Sequence, residues 1–136
     1  MTLDVVDQVW DAMYERVGED LRGVTGYEGL EFETRFREDV RAEYDTRGEA
    51  EFVDRLVVDQ ISEREIERKI GVGDLHASIR LFDECWLICW FHPSDWKAGV
   101  VVSIQRDGPK ATFDDVETCL DYLETEIEPQ MDSRYT

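Results

Sequence analysis

The segment Cys85-Trp86-Leu87-Ile88-Cys89-Trp90-Phe91 decides the fold, because every one of its seven positions carries an apolar side chain. Successive side chains of a β-strand point to opposite faces of the sheet, so both faces of this segment are apolar. Such a strand is stable where other elements cover it on both sides. The sequence therefore predicts a central strand in a sheet that has helices on both faces.

Four further segments have the composition of β-strands: Leu21–Thr25, Leu30–Arg37, Leu75–Phe82 and Ala98–Gln105. The first two flank Gly26-Tyr27-Glu28-Gly29, a glycine-bracketed turn that predicts a β-hairpin. The second of them alternates apolar and charged residues, which is typical of a strand with one solvated face. Together with the central segment, they predict a five-stranded antiparallel sheet.

Apolar residues three and four positions apart predict three amphipathic helices. The first covers residues 3–17, with Thr2 as its N-cap. The second follows Gly48 and continues, with a break, as far as Ile70. Residues 38–48, between the hairpin and this helix, are predicted to be a helical turn or a loop.

The third helix begins at Thr112, which together with Asp115 has the spacing of a capping box. Pro129 is predicted to end it. We therefore expect a single α+β domain over residues 1–128 and a flexible C-terminal tail over residues 129–136. Two helices are expected on one face of the sheet and one on the other.

The resulting order, α-β-β-α-β-β-β-α, resembles the profilin-like arrangement of roadblock/LC7 domains, which are dimeric platforms that regulate small GTPases. Three segments, Leu21–Tyr27, Arg37–Val40 and Gly73–Asp83, also resemble a family of small acidic haloarchaeal proteins over roughly residues 5–125. The first resemblance implies a roadblock-like α+β fold with helices on both faces. The second implies a fold but no activity and no site.

The charge of the chain indicates the solvent in which it works. Its 136 residues include 33 acidic and 15 basic side chains, which gives a net charge of −18, and only three of the basic residues are lysines. Acidity spread along the chain with few lysines is similar to the surfaces of haloarchaeal cytoplasmic proteins. At about 1 M salt the Debye length is about 3 Å, so this charge repels anionic partners only weakly there. No basic patch favours nucleic acid, which we therefore do not expect as a partner.

We expect a cytoplasmic protein without a membrane segment. The longest apolar stretches are far shorter than the roughly 20 residues that a transmembrane helix needs. The start of the chain has no basic segment followed by an apolar one, as a signal peptide would. The odd number of cysteines, Cys85, Cys89 and Cys119, is typical of buried thiols in a reducing compartment.

The most suggestive chemical cluster is Cys85-x3-Cys89-x2-His92, since thiolate and imidazole are zinc ligands. The period of a strand places the two cysteines on one face and His92 on the other, which favours buried structural thiols over a metal site. A Cys/His catalytic pair is disfavoured because apolar burial raises the pKa of a thiol. We therefore expect no metal, no cofactor and no catalytic residue, and so no enzyme.

The connection at residues 92–97 is the most informative loop. Trp96 lies beside polar residues and Pro93, outside any apolar period. We predict that Trp90, His92, Trp96 and Lys97 contribute to binding, because a tryptophan in a loop often marks a binding surface or a lid. The alternative is that Trp96 folds back and covers the core.

Two functions follow from these observations. The first is a non-enzymatic cytoplasmic interaction or regulatory module of a halophile, which forms a homodimer or binds a protein partner through a sheet edge and a helix. The second is a small-molecule sensor with a pocket between the sheet and the second helix, gated by residues 92–97.

Overall fold

The computed structural model describes residues 3–132 of the chain. The strands are β1 Leu21–Glu28, β2 Glu31–Phe36, β3 Ala77–Leu81, β4 Cys85–Phe91 and β5 Ala98–Gln105. The helices are α1 Val6–Val17, α2 Glu38–Arg41, α3 Thr46–Arg64, α4 Ile66–Ile70, α5 Phe113–Tyr122 and α6 Glu128–Asp132. A 3-10 turn, Gly18–Asp20, follows α1, and a π-helical turn, Leu123–Ile127, joins α5 to α6.

The five strands form one antiparallel sheet in the order β2-β1-β5-β4-β3. The predicted α+β fold with a five-stranded antiparallel sheet is confirmed. The apolar segment that predicts it is β4, which lies second from one edge, and β5 occupies the middle of the sheet. The prediction of a central position for this segment is therefore wrong. A strand can be apolar on both faces wherever helices cover both faces of the sheet. This holds for β4, although it lies next to the edge strand β3.

The two faces of β4 belong to two separate hydrophobic cores. Trp86, Ile88 and Trp90 pack with apolar residues of α1 and α5. Leu87, Cys89 and Phe91 instead pack with apolar residues of α3. As predicted, two main helices cover one face of the sheet and one covers the other.

The hairpin is tighter than the sequence indicates. β1 continues to Glu28, and the turn consists of Gly29 and Leu30 alone, with Gly29 at φ 63°. Tyr27, predicted to lie in the turn, is a fully buried strand residue. Glycines that bracket a short segment are also compatible with an extended strand, and here the pairing of β1 with both β2 and β5 extends it.

The helix ends follow the local capping groups. α1 begins at Val6, later than residue 3, and the predicted N-cap Thr2 lies outside the described residues. α3 begins before Gly48 because the Asp45 carboxylate accepts a hydrogen bond from Gly48 N at 2.7 Å. The capping box of Thr112 and Asp115 is present as predicted.

The prediction that Pro129 ends the last helix is wrong. The chain passes through the π-helical turn into α6, where Pro129 occupies the second position. A proline within a helix removes one backbone hydrogen bond, and the π-helical turn directly before Pro129, where Glu128 N–H donates to the Leu123 carbonyl, already departs from the regular α-helical bonding pattern. Met131 of α6 is buried in the core with α1 and α5, so the predicted tail is packed as far as this residue. Residues 133–136 of the predicted tail lie outside the described part of the chain.

Candidate interaction surfaces

The outer edge of β3 is one candidate interaction surface. β3 pairs with β4 on one side, and no strand within residues 3–132 pairs with its other side. Ile79 and Leu81 are 39% and 62% exposed there. Their positions opposite Ile88 and Trp86 place them on the sheet face that α5 covers. An unpaired strand edge with exposed apolar side chains is a template for pairing with another chain.

An exposed aromatic residue of α5 extends this apolar edge. Phe113, which is 58% exposed, contacts Trp86 edge to face at a ring-centroid distance of 6.3 Å. Leu81 lies opposite Trp86 in the ladder. We call Ile79, Leu81 and Phe113 the β3 edge patch.

The other face of the same edge carries charged groups. Arg80 of β3 donates to the Asp59 carboxylate of α3 at 2.9 Å and lies 4.0 Å from that of Glu63. Arg55 forms a further ion pair with Asp59 at 3.1 Å. The flank of α3 therefore borders the edge of the sheet, so that a strand edge and a helix are available together.

Four binding residues are predicted in and beside the loop of residues 92–97. Two of them are buried and two are exposed. Trp90 is fully buried in the core beneath α1 and α5. His92 is also fully buried, and its Nδ1 accepts hydrogen bonds from the backbone N–H groups of Ser94 and Asp95, at 3.1 and 3.0 Å. A ring nitrogen that accepts two bonds carries no proton, so this imidazole organises the loop from inside.

Trp96 and Lys97 are the exposed members of the predicted set. Trp96 is 44% exposed, and the Arg64 guanidinium carbon lies 5.6 Å from its ring centroid and 5.7 Å from that of Phe91. Arg64 also donates to the His92 carbonyl at 2.6 Å. Trp96 therefore covers a buried cation with one face and presents the rest of its ring to solvent.

Sequence reasoning missed two polar residues of α3, Gln60, which holds the helix to the sheet, and Arg64, which holds it to this loop. Gln60 accepts from the Tyr27 hydroxyl at 2.6 Å and donates to the Ala98 carbonyl at 2.9 Å. Both residues are buried. A signal was available, because they stand four residues apart on the helical stripe that also carries Val53 and Val57.

The cysteine thiols lie in largely buried surroundings, as the apolar residues next to them in the sequence predict. Burial raises the pKa of Cys89 to about 11 and that of Cys119 to about 12. Cys85 is half-buried, and all three cysteines are free. Among residues 3–132, no group of three or more His, Cys, Asp or Glu side chains is placed to hold a metal ion.

The predicted pocket between the sheet and the second helix exists, but the predicted gate is wrong. A cavity of about 140 Å³ lies under the N-terminal half of α3, between Phe52, Val53 and the strand residues Leu87 and Val101. Residues 92–97 do not line it. They contact the other half of α3, through Arg64, because β4 delivers them to the opposite end of the sheet.

The comparison with known families places this chain by sequence. The family described as "Domain of unknown function (DUF7522)" matches residues 7–124. The chain belongs to this family. No curated protein matches its sequence.

Among residues 3–132, no helix has both the length and the apolar character needed to cross a membrane.

Several solved structures are similar to this chain over most of its length. The gliding protein MglB from Thermus thermophilus has a TM-score of 0.69 at 7% identity, over 97% of this chain and 92% of that one. A structure titled "MglB with tetrameric arrangement" has a TM-score of 0.68 at 8% identity, over 99% and 93% of the two chains. Myxococcus xanthus MglB has a TM-score of 0.60 at 13% identity, over 95% and 91%. These likenesses confirm the predicted roadblock-like fold for this member of the DUF7522 family.

Proposed function

We propose that the chain is a non-enzymatic interaction module that forms a homodimer by pairing β3 with β3 of a second copy. The observation that carries this proposal is the open edge of β3 with its exposed Ile79 and Leu81. Burying these side chains against a partner removes apolar surface from water and satisfies the outer backbone groups of the strand.

The sequence of β3 is suited to antiparallel pairing with itself. A two-fold axis at Ile79 places this residue opposite its own copy, Ala77 opposite Leu81, and Ser78 opposite Arg80. Opposite residues of an antiparallel pair point to the same face. The apolar positions of both copies would then form one strip, continuous with the core beside Trp86, and no like charges would face each other directly.

The flank of α3 supports the same arrangement. It presents Arg55, Asp59 and Glu63 beside Arg80, so cations and anions alternate along the border of the edge. A second copy related by a two-fold axis presents the same charges in reverse order. One structure with this fold is titled with a tetrameric arrangement, which supports self-assembly as a property that this fold can carry.

We further propose that the exposed side chains of Trp96 and Lys97 form a second contact surface, for a protein partner of the dimer. Trp96 projects beside the stacked Arg64 and keeps nearly half of its surface in solvent. We propose that this module is a single domain that works in the cytoplasm of a halophile. Its acidic surface is suited to concentrated salt. The spread of the −18 charge and the three lysines support that setting.

Ile79→Lys tests the homodimer. It places a charge at the centre of the proposed pairing, where two copies would face each other, and so should convert the dimer to a monomer. The matched control is Leu30→Lys, since Leu30 is 72% exposed in the turn beside β2, at the opposite edge of the sheet. Molar mass is measured by light scattering at about 1 M KCl, where the Debye length is about 3 Å. A monomeric wild-type chain, or a dimeric and folded Ile79→Lys variant, would contradict the proposal.

A further inference from the structure

The cavity under α3 contains a cation whose buried nitrogen lacks a hydrogen-bond partner. Arg22 lines the cavity, and its Nε is buried without a partner among the described residues. A buried donor left unsatisfied is costly, and more so when the group is charged. The chain has 33 carboxylates, yet none within residues 3–132 accepts a hydrogen bond from this Nε, so no acid of the described residues neutralises the guanidinium at this atom.

A β-bulge directs Arg22 into this position. β1 pairs with β5 at Leu21–Ile104 and again at Gly23–Ser103, so Arg22 is the extra residue on β1. A bulge bends the strand and redirects a side chain, and bulges are frequent beside binding sites. Both Arg22 and its neighbour Gly23 line the cavity as a result.

Aromatic rings and aliphatic side chains form most of the remaining wall. Phe36 stacks on Tyr44 at a ring-centroid distance of 5.5 Å, and Phe52 of α3 also lines the cavity. A Cβ at Gly23 would lie only 2.9 Å from the Phe36 ring, so glycine at this position allows the ring to lie against the strand. The wall is therefore suited to a flat apolar body.

The cavity also has a small number of hydroxyl groups and one carboxyl group. The Thr25 and Thr34 hydroxyls lie 3.0 Å apart, and Glu49 of α3 lines the same space. Burial raises the pKa of the Glu49 carboxyl. The apolar wall with few polar groups is typical of small-molecule sites.

The volume of the cavity is suited to about one ring. An apolar cavity of about 150 Å³ in another protein binds benzene, and this one measures about 140 Å³. A peptide or a nucleotide is too large to be enclosed here. A ring with a carboxylate at its rim would fill the apolar part and bring an acceptor to Arg22.

We infer that this cavity binds a small monocyclic aromatic carboxylate, with its ring against Phe36 and Phe52 and its carboxylate accepting from Arg22. This site lies apart from the β3 edge patch and does not depend on self-association. The charge-assisted bond to the guanidinium supplies the selectivity, and the aromatic wall supplies the burial of the ring.

The test uses benzoate as the probe and benzamide as its uncharged counterpart of the same shape. Titration of the full chain at about 1 M KCl, where the Debye length is about 3 Å, is followed by the backbone amide resonances of Gly23 and Gly48. These glycines line the cavity, and Gly71 and Gly73, distant in the fold, are internal references. We expect saturable shifts at Gly23 and Gly48 with benzoate, and at least about tenfold weaker binding of benzamide, the factor that 1.4 kcal/mol of lost interaction produces.

Arg22→Met should weaken benzoate binding to the level of benzamide, because it keeps an aliphatic side chain against the wall and removes the guanidinium charge. Arg68→Met, on the exposed surface of α4, is the matched control and should bind benzoate as the wild type does. If Arg22→Met fails to fold, comparing the affinities of benzoate and benzamide for the wild-type chain still tests the inference. Absence of saturable shifts, equal binding of both probes, or full benzoate affinity in a folded Arg22→Met variant would overturn the inference.

Discussion

Gln60 links α3 to two strands of the sheet through a single buried amide. It accepts from Tyr27 of β1 and donates to the backbone of Ala98 in β5. A polar residue at such a position is retained only where its hydrogen bonds are made, because burial without them is costly. This amide fixes the rotation of α3 and thereby the position of Arg64 one turn later.

Gln60→Leu should therefore destabilise the protein despite its similar size. The change leaves the buried Ala98 carbonyl without this donor and takes the acceptor from the Tyr27 hydroxyl, for which we expect a loss of about 1–3 kcal/mol in the free energy of unfolding. Denaturant titration in concentrated KCl measures it. Gln8→Leu, at an exposed position of α1, is the control and should change stability by less than about 0.5 kcal/mol. Equal effects of the two substitutions would contradict the anchoring role of Gln60.

In the loop of residues 92–97, Trp96 covers part of the structure beneath it and also keeps part of its ring exposed, so its binding role stays a prediction. His92 and Arg64 hold the loop from below, and Trp96 covers that cation while exposing 44% of its own surface. A loop fixed in this way can present an aromatic side chain with little loss of entropy on binding. Trp96 and Lys97 thus stay our predicted contact residues, whereas buried His92 holds the loop from inside and buried Trp90 belongs to the core with α1 and α5.

Trp96 should account for most of the iodide-accessible tryptophan fluorescence. The other three tryptophans, Trp10, Trp86 and Trp90, are at most 7% exposed. Trp96→Phe should therefore remove most of the quenching by iodide in concentrated salt, and Arg64→Met should increase it by uncovering the ring. Unchanged quenching in Trp96→Phe would show that the loop adopts another arrangement.

Sequence patterns predict an element of this fold well where the element depends only on residues that are close together in the chain. The apolar β4 and the capping box at Thr112 depend on neighbouring residues in the chain, and both are found as predicted. The extension of β1 through Tyr27 depends on β5, which lies far later in the chain and which the local glycines do not report. The bulge at Arg22 has the same origin, so the cation in the cavity could not be predicted from sequence. The predicted gate of the pocket is misplaced because strand direction decides which end of the sheet a loop occupies, and local composition does not carry that information.

At the scale of the whole molecule, the charge of −18 opposes the compact state. Carboxylates repel each other over about 30 Å at 0.01 M salt and over about 3 Å at 1 M. Self-repulsion of this kind destabilises a folded chain and is relieved by screening. The proposed setting in concentrated salt follows from this balance.

Transfer from about 1 M to about 0.01 M KCl, where the Debye length rises about tenfold, should therefore lower the melting temperature followed by circular dichroism. A variant with four exposed acids made neutral, Glu43→Gln, Asp54→Asn, Glu65→Gln and Glu117→Gln, should lose less on the same transfer. Sucrose, which carries no charge, is the control for effects other than screening. A melting temperature that does not depend on salt, or an equal salt dependence in the neutralised variant, would contradict salt adaptation.

The pairing of β3 with its own copy is central to the proposed function, and an engineered disulfide at Ile79 tests it directly. Opposite residues of an antiparallel pair have Cα atoms about 4.5–5.5 Å apart, which is within the range that a disulfide spans. In a Cys85→Ser background, which removes the half-buried native thiol, mild oxidation of Ile79→Cys at about 1 M KCl, where the Debye length is about 3 Å, should give a covalent dimer. Leu30→Cys, at the opposite edge of the sheet, should form no covalent dimer under the same oxidation. A covalent dimer specific to position 79 is the predicted result, and equal or absent cross-linking at the two positions would contradict the proposed pairing.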